Sequence, residues 1–141
     1  MERISKKEYY LKIAETVSLR STCLKRNYGC IIVKNDEVIS TGYNGSARGE
    51  VNCCDKMECP RINKPHNTGD YSDCPAVHAE QNAMLSAARK DMIGATMYLC
   101  GMEGNQHIET EPCPICWRMI KNSGIKKVIT HDKEVYLWEV Y

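Results

Sequence analysis

Tyr10, Ile13, Ala14 and Val17 recur at helical spacing near the start of the chain, behind Ser5 and Glu8 set as a capping box. The pattern predicts a first helix of about four turns. Two β-branched runs follow, Ile31 to Val33 and Val38 to Thr41, and the turn pair Asn35-Asp36 between them predicts a hairpin. From Gly45 to Cys74 apolar periodicity vanishes and Gly, Asn, Asp, Pro and Cys dominate, which reads as a loop. A loop of that length in a compact domain usually needs a ligand or metal to hold it.

After this loop the pattern changes. His78 to Lys90 reads as an alanine-rich helix, with Ala83, Met84, Ala87 and Ala88 available to pack on a sheet. "ATMYLC" reads as a strand, Pro114 to Ser123 as a helix closed by Gly124, and "KKVIT" as a further strand. The alternation predicts a layered α/β sheet with right-handed crossovers. No internal repeat or linker interrupts it, so the expectation is one domain over residues 1–141 with a Cys-rich insertion at about 45–75.

Charge and cysteine content narrow the function. The formal charge of +1 gives no field to attract nucleic acid or a membrane surface, so a small polar metabolite is the expected partner. The opening "MERISKKEYYLKIAETVSLR" lacks a signal-peptide core and no later stretch is long and apolar enough to span a bilayer, so the expected compartment is the cytoplasm. Nine cysteines, an odd number, cannot all pair, and a reducing compartment keeps disulfides open. Metal binding becomes their leading use.

Two runs carry the candidate chemistry, "PAVHAEQNAM" and "EPCPICWRM". Cys113 and Cys116 stand three apart at the start of a predicted helix, so both thiolates can reach one ion, and Pro114 suits the first helical turn. His78, at the start of its own helix, is the expected third ligand. Three protein ligands leave the fourth tetrahedral position for water, as in a catalytic zinc site. Two helix N-termini converging there would favour the thiolates. Glu80, two residues past His78, is placed to take a proton from that water and deliver it to a substrate without ligating the metal. Taken alone, a CxxC pair also suits a structural half-site or a redox pair, and a lone histidine is often structural. The combination of "HAE" with "PCPIC" is the more specific signal.

The chain resembles the deoxycytidylate (dCMP) deaminases of the zinc-dependent cytidine deaminase superfamily. The resemblance runs from "STCLKRNYGCIIVKNDEVISTGYNGSARGEVNCCD" through "HAEQNAM" to "GATMYLCGMEGNQHIETEPCPICWRMIKNSGIKKVI", and "GYNGSARG" with "NCC" points to the dCMP branch. It implies a three-layer α/β/α domain with a central mixed sheet, a catalytic zinc on His78, Cys113 and Cys116, and Glu80 as proton shuttle. It also implies that Asn44 contacts sugar and base, and that the backbone around Ala79 contacts the pyrimidine. Arg26 and Arg48 are candidates for the 5′-phosphate, since a guanidinium fork matches phosphate oxygens. Asn44 also reads as a plain turn residue, and both arginines as solvated surface groups. The implied reaction is hydrolysis of dCMP to dUMP and ammonia, feeding thymidylate synthesis.

Some dCMP deaminases carry a second, structural zinc, and Cys23 and Cys53 match positions that supply its ligands there. Cys59 and Cys74 complete a four-thiolate set, with His66 or Cys54 as substitutes, while free buried thiols are the plain alternative. The resemblance further raises homo-oligomerisation, a dCTP activator and a dTTP inhibitor, with Mg2+ accompanying a triphosphate. Two departures stand out. Ala47 occupies a place where relatives commonly have proline, and the chain stops at Tyr141, soon after "KKVIT", so the last strand is expected to be abbreviated. The competing readings are a cytidine, deoxycytidine or riboflavin-pathway deaminase with the same zinc signature, and a non-enzymatic zinc module. A nucleic-acid deaminase would need a basic face that the net charge argues against.

Overall fold

The computed structural model describes residues 1–66, 68–69 and 71–137. In chain order the elements are α1 (Lys6–Ser18), β1 (Asn27–Lys34), β2 (Glu37–Tyr43), β3 (Gly45–Ser46), α2 (Cys53–Lys56), β4 (Ala76–Val77) and α3 (Ala79–Leu85). They continue with α4 (Arg89–Met92), β5 (Thr96–Glu103), β6 (Gln106–His107), α5 (Pro114–Ser123), β7 (Lys127–Ile129) and β8 (Glu134–Tyr136). The main sheet runs β2-β1-β5-β7-β8, with β6 added to β5, and β3 pairs with β4 in a small separate ribbon. Among the described residues only β5 and β7 pair in parallel, joined through α5; the other pairs are antiparallel, so the sheet is mixed.

Strand alternation divides the core into two layers. Ile31 and Val33 of β1, with Tyr98, Cys100 and Met102 of β5, point to one face and meet Tyr10, Leu11 and Ala14 of α1. Cys30 and Ile32, with Met97 and Leu99, point to the other face and meet Ala79, Ala83 and Met84 of α3, Met92 of α4, and Cys116 and Ile120 of α5. Helices therefore cover both faces in the α/β/α order expected.

The local signals behave as read. Ser5 Oγ accepts from the Glu8 N–H at 3.1 Å and caps α1. Asn35 and Asp36 both take positive φ, at 53° and 62°, the conformation a tight two-residue hairpin turn requires. Pro114 opens α5, and Gly124, at φ 91°, closes it in the left-handed conformation.

Two expectations need correction. The helix predicted over His78 to Lys90 is broken: α3 stops at Leu85, Ala88 turns extended, and α4 begins at Arg89. Alanine propensity is a weak preference that packing overrides. The break lets Met92 enter the core while Ala88 stays exposed. The stretch from Gly45 to Cys74 is not wholly loop, since it holds β3 and α2. Much of its order comes from Arg61, only 3% exposed, whose guanidinium donates to the carbonyls of Pro65 and Thr68 at 3.2 and 2.5 Å and lies 3.7 Å over the Tyr71 ring. The expected abbreviation of the last strand falls on residues 138–141, which lie outside the described residues.

Candidate active site

Two helix starts meet on the α3/α5 face of the sheet. His78 is the N-cap of α3 in extended conformation, and its backbone N–H donates to Gln81 Oε1 at 2.9 Å, which fixes the entry of the chain into the helix. Cys113 is the N-cap of α5, and its sulfur accepts the Cys116 N–H at 3.4 Å. This places His78 Nδ1 at 3.6 Å from Cys113 Sγ and 3.3 Å from Cys116 Sγ. All three donor atoms lie within 4.8 Å of one another.

Those separations suit zinc. With Zn–S near 2.3 Å and Zn–N near 2.0–2.1 Å, a tetrahedral ion holds sulfur and nitrogen roughly 3.6 Å apart. The donor set, two thiols and one imidazole, is one short of a closed structural site. Cys116 is fully buried, and burial together with the nearby Glu80 charge pushes its bare thiol well up. A coordinated cation reverses that balance and holds the group as thiolate.

Glu80 is 5% exposed, in the first turn of α3 and against Cys116. Burial raises its carboxyl above the usual range, partly opposed by the hydrogen bond to its own backbone and by His78. A carboxyl so placed can hold a proton and release it, which is what a shuttle needs. Its position depends on Gly42 of β2. A methyl group there would stand 2.3 Å from the Ala83 nitrogen and 2.4 Å from the Ala79 oxygen, so only glycine lets α3 lie this close to the sheet. Ala79 itself is buried, main chain and side chain alike.

Asn44 is buried and its amide ties three segments together. Oδ1 accepts from the Ser21 hydroxyl at 2.5 Å and from the Tyr28 N–H at 2.8 Å, and Nδ2 donates to the Arg26 carbonyl at 3.0 Å. One Nδ2 hydrogen remains without a partner among the described residues. Arg26 lies against Tyr28, and its buried Nε has no hydrogen-bond partner among the described residues. Arg48 is exposed in the turn closed by the Glu50 N–H to Ala47 carbonyl bond.

The zinc-binding region that defines the cytidine and deoxycytidylate deaminases matches residues 4–132. The chain belongs to that deaminase family. Among its relatives, the deoxycytidylate deaminase of Mycobacterium phage D29 is 38% identical over 135 residues, covering 92% of this chain and 96% of the phage protein. The deoxycytidylate deaminase of Schizosaccharomyces pombe is 38% identical over 124 residues, which cover 87% of this chain and 36% of the yeast protein. The crystal structure of dCMP deaminase from the cyanophage S-TIM5 in complex with dCMP and dUMP superposes with a TM-score of 0.66 at 30% identity, covering 91% of this chain and 83% of that one.

Within this deaminase fold, the structure also brings Tyr28, which the sequence reading passed over, among residues that it named. Tyr28 lies near both Glu80 and Arg26, and the His66 ring stacks on it at 6.4 Å. Burial, followed by the charges of Arg26 and Lys25, pushes His66 down and keeps it neutral at pH 7. The insertion thus folds back over the start of β1, a contact between distant segments with no motif spacing to reveal it. His66 is placed there, and not among the thiols. Cys53 is buried, with Cys59, Cys23 and Cys74 close enough to push its thiol up after burial has done so. No three of these four sulfurs come within 4.8 Å of one another among the described residues. Cys54 is exposed beside Asp55.

Proposed function

We propose that the protein is a cytoplasmic dCMP deaminase that hydrolyses dCMP to dUMP and ammonia. The observation that carries this reading is a buried Glu80, its carboxyl raised above the usual range by burial, beside the His78, Cys113 and Cys116 donor set. The family match and the likeness to a dCMP- and dUMP-bound structure support the substrate class. No helix of the described residues is long and apolar enough to cross a membrane.

His78, Cys113 and Cys116 would hold Zn2+, which when bound makes a nucleophile of water at neutral pH. Glu80 takes the proton that the water gives up, donates it to N3 of the cytosine ring, and relays a proton to the departing amino nitrogen. Oxygen thereby replaces nitrogen at C4, and ammonia leaves. Asn44 orients sugar and base with its remaining amide hydrogen, and the Ala79 backbone meets the ring. Arg26 takes the 5′-phosphate, since its orphaned buried Nε needs an anionic acceptor. Arg48 contributes from solvent.

The test is ammonia release from dCMP, deoxycytidine, cytidine and CMP side by side. The expected order puts dCMP first by a wide margin, and equal rates on dCMP and deoxycytidine would favour a nucleoside deaminase instead. Arg26→Ala is expected to cut kcat/KM for dCMP about 10- to 100-fold and leave deoxycytidine little changed, the loss of a charged hydrogen bond. Arg48→Ala has a smaller effect in the same direction.

Regulation by a dCTP activator and a dTTP inhibitor, Mg2+ accompanying the triphosphate, and a homo-oligomer belong to the same reading and rest on the family resemblance. Assays with each triphosphate test them. A structural zinc on Cys23, Cys53, Cys59 and Cys74 rests on the family resemblance and on the other three thiols lying within electrostatic reach of Cys53, while no three of the four sulfurs lie within 4.8 Å of one another among the described residues. Cys53→Ser is expected to lose one zinc equivalent relative to the parent and to lower its melting temperature. Unchanged zinc content in reduced protein would rule this site out.

A further inference from the structure

Cys100, His107 and His131 sit on the α1 side of the sheet, opposite the face that carries His78, Cys113 and Cys116. They come from three elements, β5, β6 and the turn between β7 and β8. Their donor atoms nonetheless lie within 4.8 Å of one another. Cys100 Sγ is 3.8 Å from His107 Nδ1, close to the roughly 3.6 Å that a shared tetrahedral zinc imposes. The two imidazole rings lie with centroids 3.9 Å apart.

We propose that these three side chains form a separate zinc site, held by Cys100 Sγ, His107 Nδ1 and a ring nitrogen of His131. The fourth group at hand explains the orientation. His107 Nε2 stands 3.2 Å from Glu15 Oε1 of α1. A carboxylate accepting from Nε2–H leaves Nδ1 as the lone-pair nitrogen, and Nδ1 is the atom that faces Cys100. This is the carboxylate-to-histidine support that orients metal-bound imidazoles. A thiol–imidazole hydrogen bond alone would give no reason for a second imidazole at the same point.

Charge and access agree. One thiolate and two neutral imidazoles leave a zinc ion with one positive charge, and Glu15 balances it. Cys100 is buried, while both histidines are exposed at the rim, so an ion can enter from solvent. Thiolate with imidazole is a donor set for zinc and its neighbours, and unlike the oxygen cages of calcium or magnesium. The ion would tie the two-residue strand β6 and the β7–β8 turn to β5 and α1. β6 leads within six residues to Cys113, so the same clamp steadies the approach to the catalytic face.

The proposal stands apart from the deaminase reading and is tested by metal binding. The full-length protein, stripped with chelator and kept reduced, is titrated with Zn2+ by calorimetry. The double variant His107→Gln/His131→Gln is compared with the parent, and again in a His78→Gln background. Both changed side chains are exposed, so the fold is retained. The expected result is one zinc equivalent fewer in the double variant in both backgrounds, with a smaller zinc-dependent rise in melting temperature. Glu15→Gln is expected to keep the stoichiometry and weaken that one site about 10- to 100-fold. Equal zinc stoichiometry in parent and double variant would overturn the proposal, whatever the deaminase assays show.

Discussion

Glu80→Gln is expected to keep its fold and its zinc and to lose about 10²- to 10⁴-fold in dCMP turnover. Glutamine matches glutamate in shape, but it cannot accept and return a proton. Metal binding is preserved because His78, Cys113 and Cys116 already form the donor set, and Glu80 is not a member of it. The change also removes a buried group whose charged form is disfavoured by its surroundings, so stability is expected to hold or rise. Zinc content and melting temperature are measured beside single-turnover rates. Turnover above about a tenth of the parent's, with zinc in place, would show that the proton moves through some other group.

What could be read from the sequence is what local chemistry decides. The hairpin turn at Asn35-Asp36 and the ends of α5 at Pro114 and Gly124 depend on residues with restricted or unusual backbone preferences, so position alone announces them. His78, Cys113 and Cys116 were legible as candidate donors because metal ligands on helix starts have recognisable spacing, and Glu80 because it stands two residues past His78. The break between α3 and α4 was not, because nothing in Ser86, Ala87 and Ala88 forbids a helix; the core's demand for Met92 imposes it. β6, two exposed polar residues, has no period to detect. Asn44 lay in a recognisable "GYNG", yet its bonds to Ser21, Arg26 and Tyr28 exist only once β1 and β2 have paired. The stacking of His66 on Tyr28 and the gathering of Cys100, His107 and His131 follow from tertiary placement in the same way.

Gly42→Ala is expected to damage stability and catalysis together. The added methyl would stand 2.3 Å from Ala83 N, 2.4 Å from Ala79 O and 2.9 Å from the Asn82 carbonyl carbon, all backbone atoms of α3 that cannot rotate away. The helix must lift from β2, and overpacking of this kind costs about 1–3 kcal/mol, or roughly 3–10 °C in melting temperature. α3 carries Glu80 and is entered through His78, whereas Cys113 and Cys116 ride on α5. Lifting one helix and not the other opens the His78-to-cysteine separations of 3.3 and 3.6 Å, so zinc affinity and turnover per folded molecule should both fall. Positioning errors of an ångström are enough to cost about 10²-fold. Gly29→Ala is the control. Its methyl would press on Ala14 O at 1.9 Å and on Ser18 N at 2.5 Å, backbone atoms of α1 on the opposite face. It should destabilise at least as much while leaving the folded fraction's turnover near the parent's. Urea midpoints, zinc affinity and kcat corrected for folded fraction separate the two. If Gly42→Ala lost stability but kept the parent's kcat and zinc affinity, the contact between β2 and α3 would be a packing feature alone, and the site would be positioned by α5.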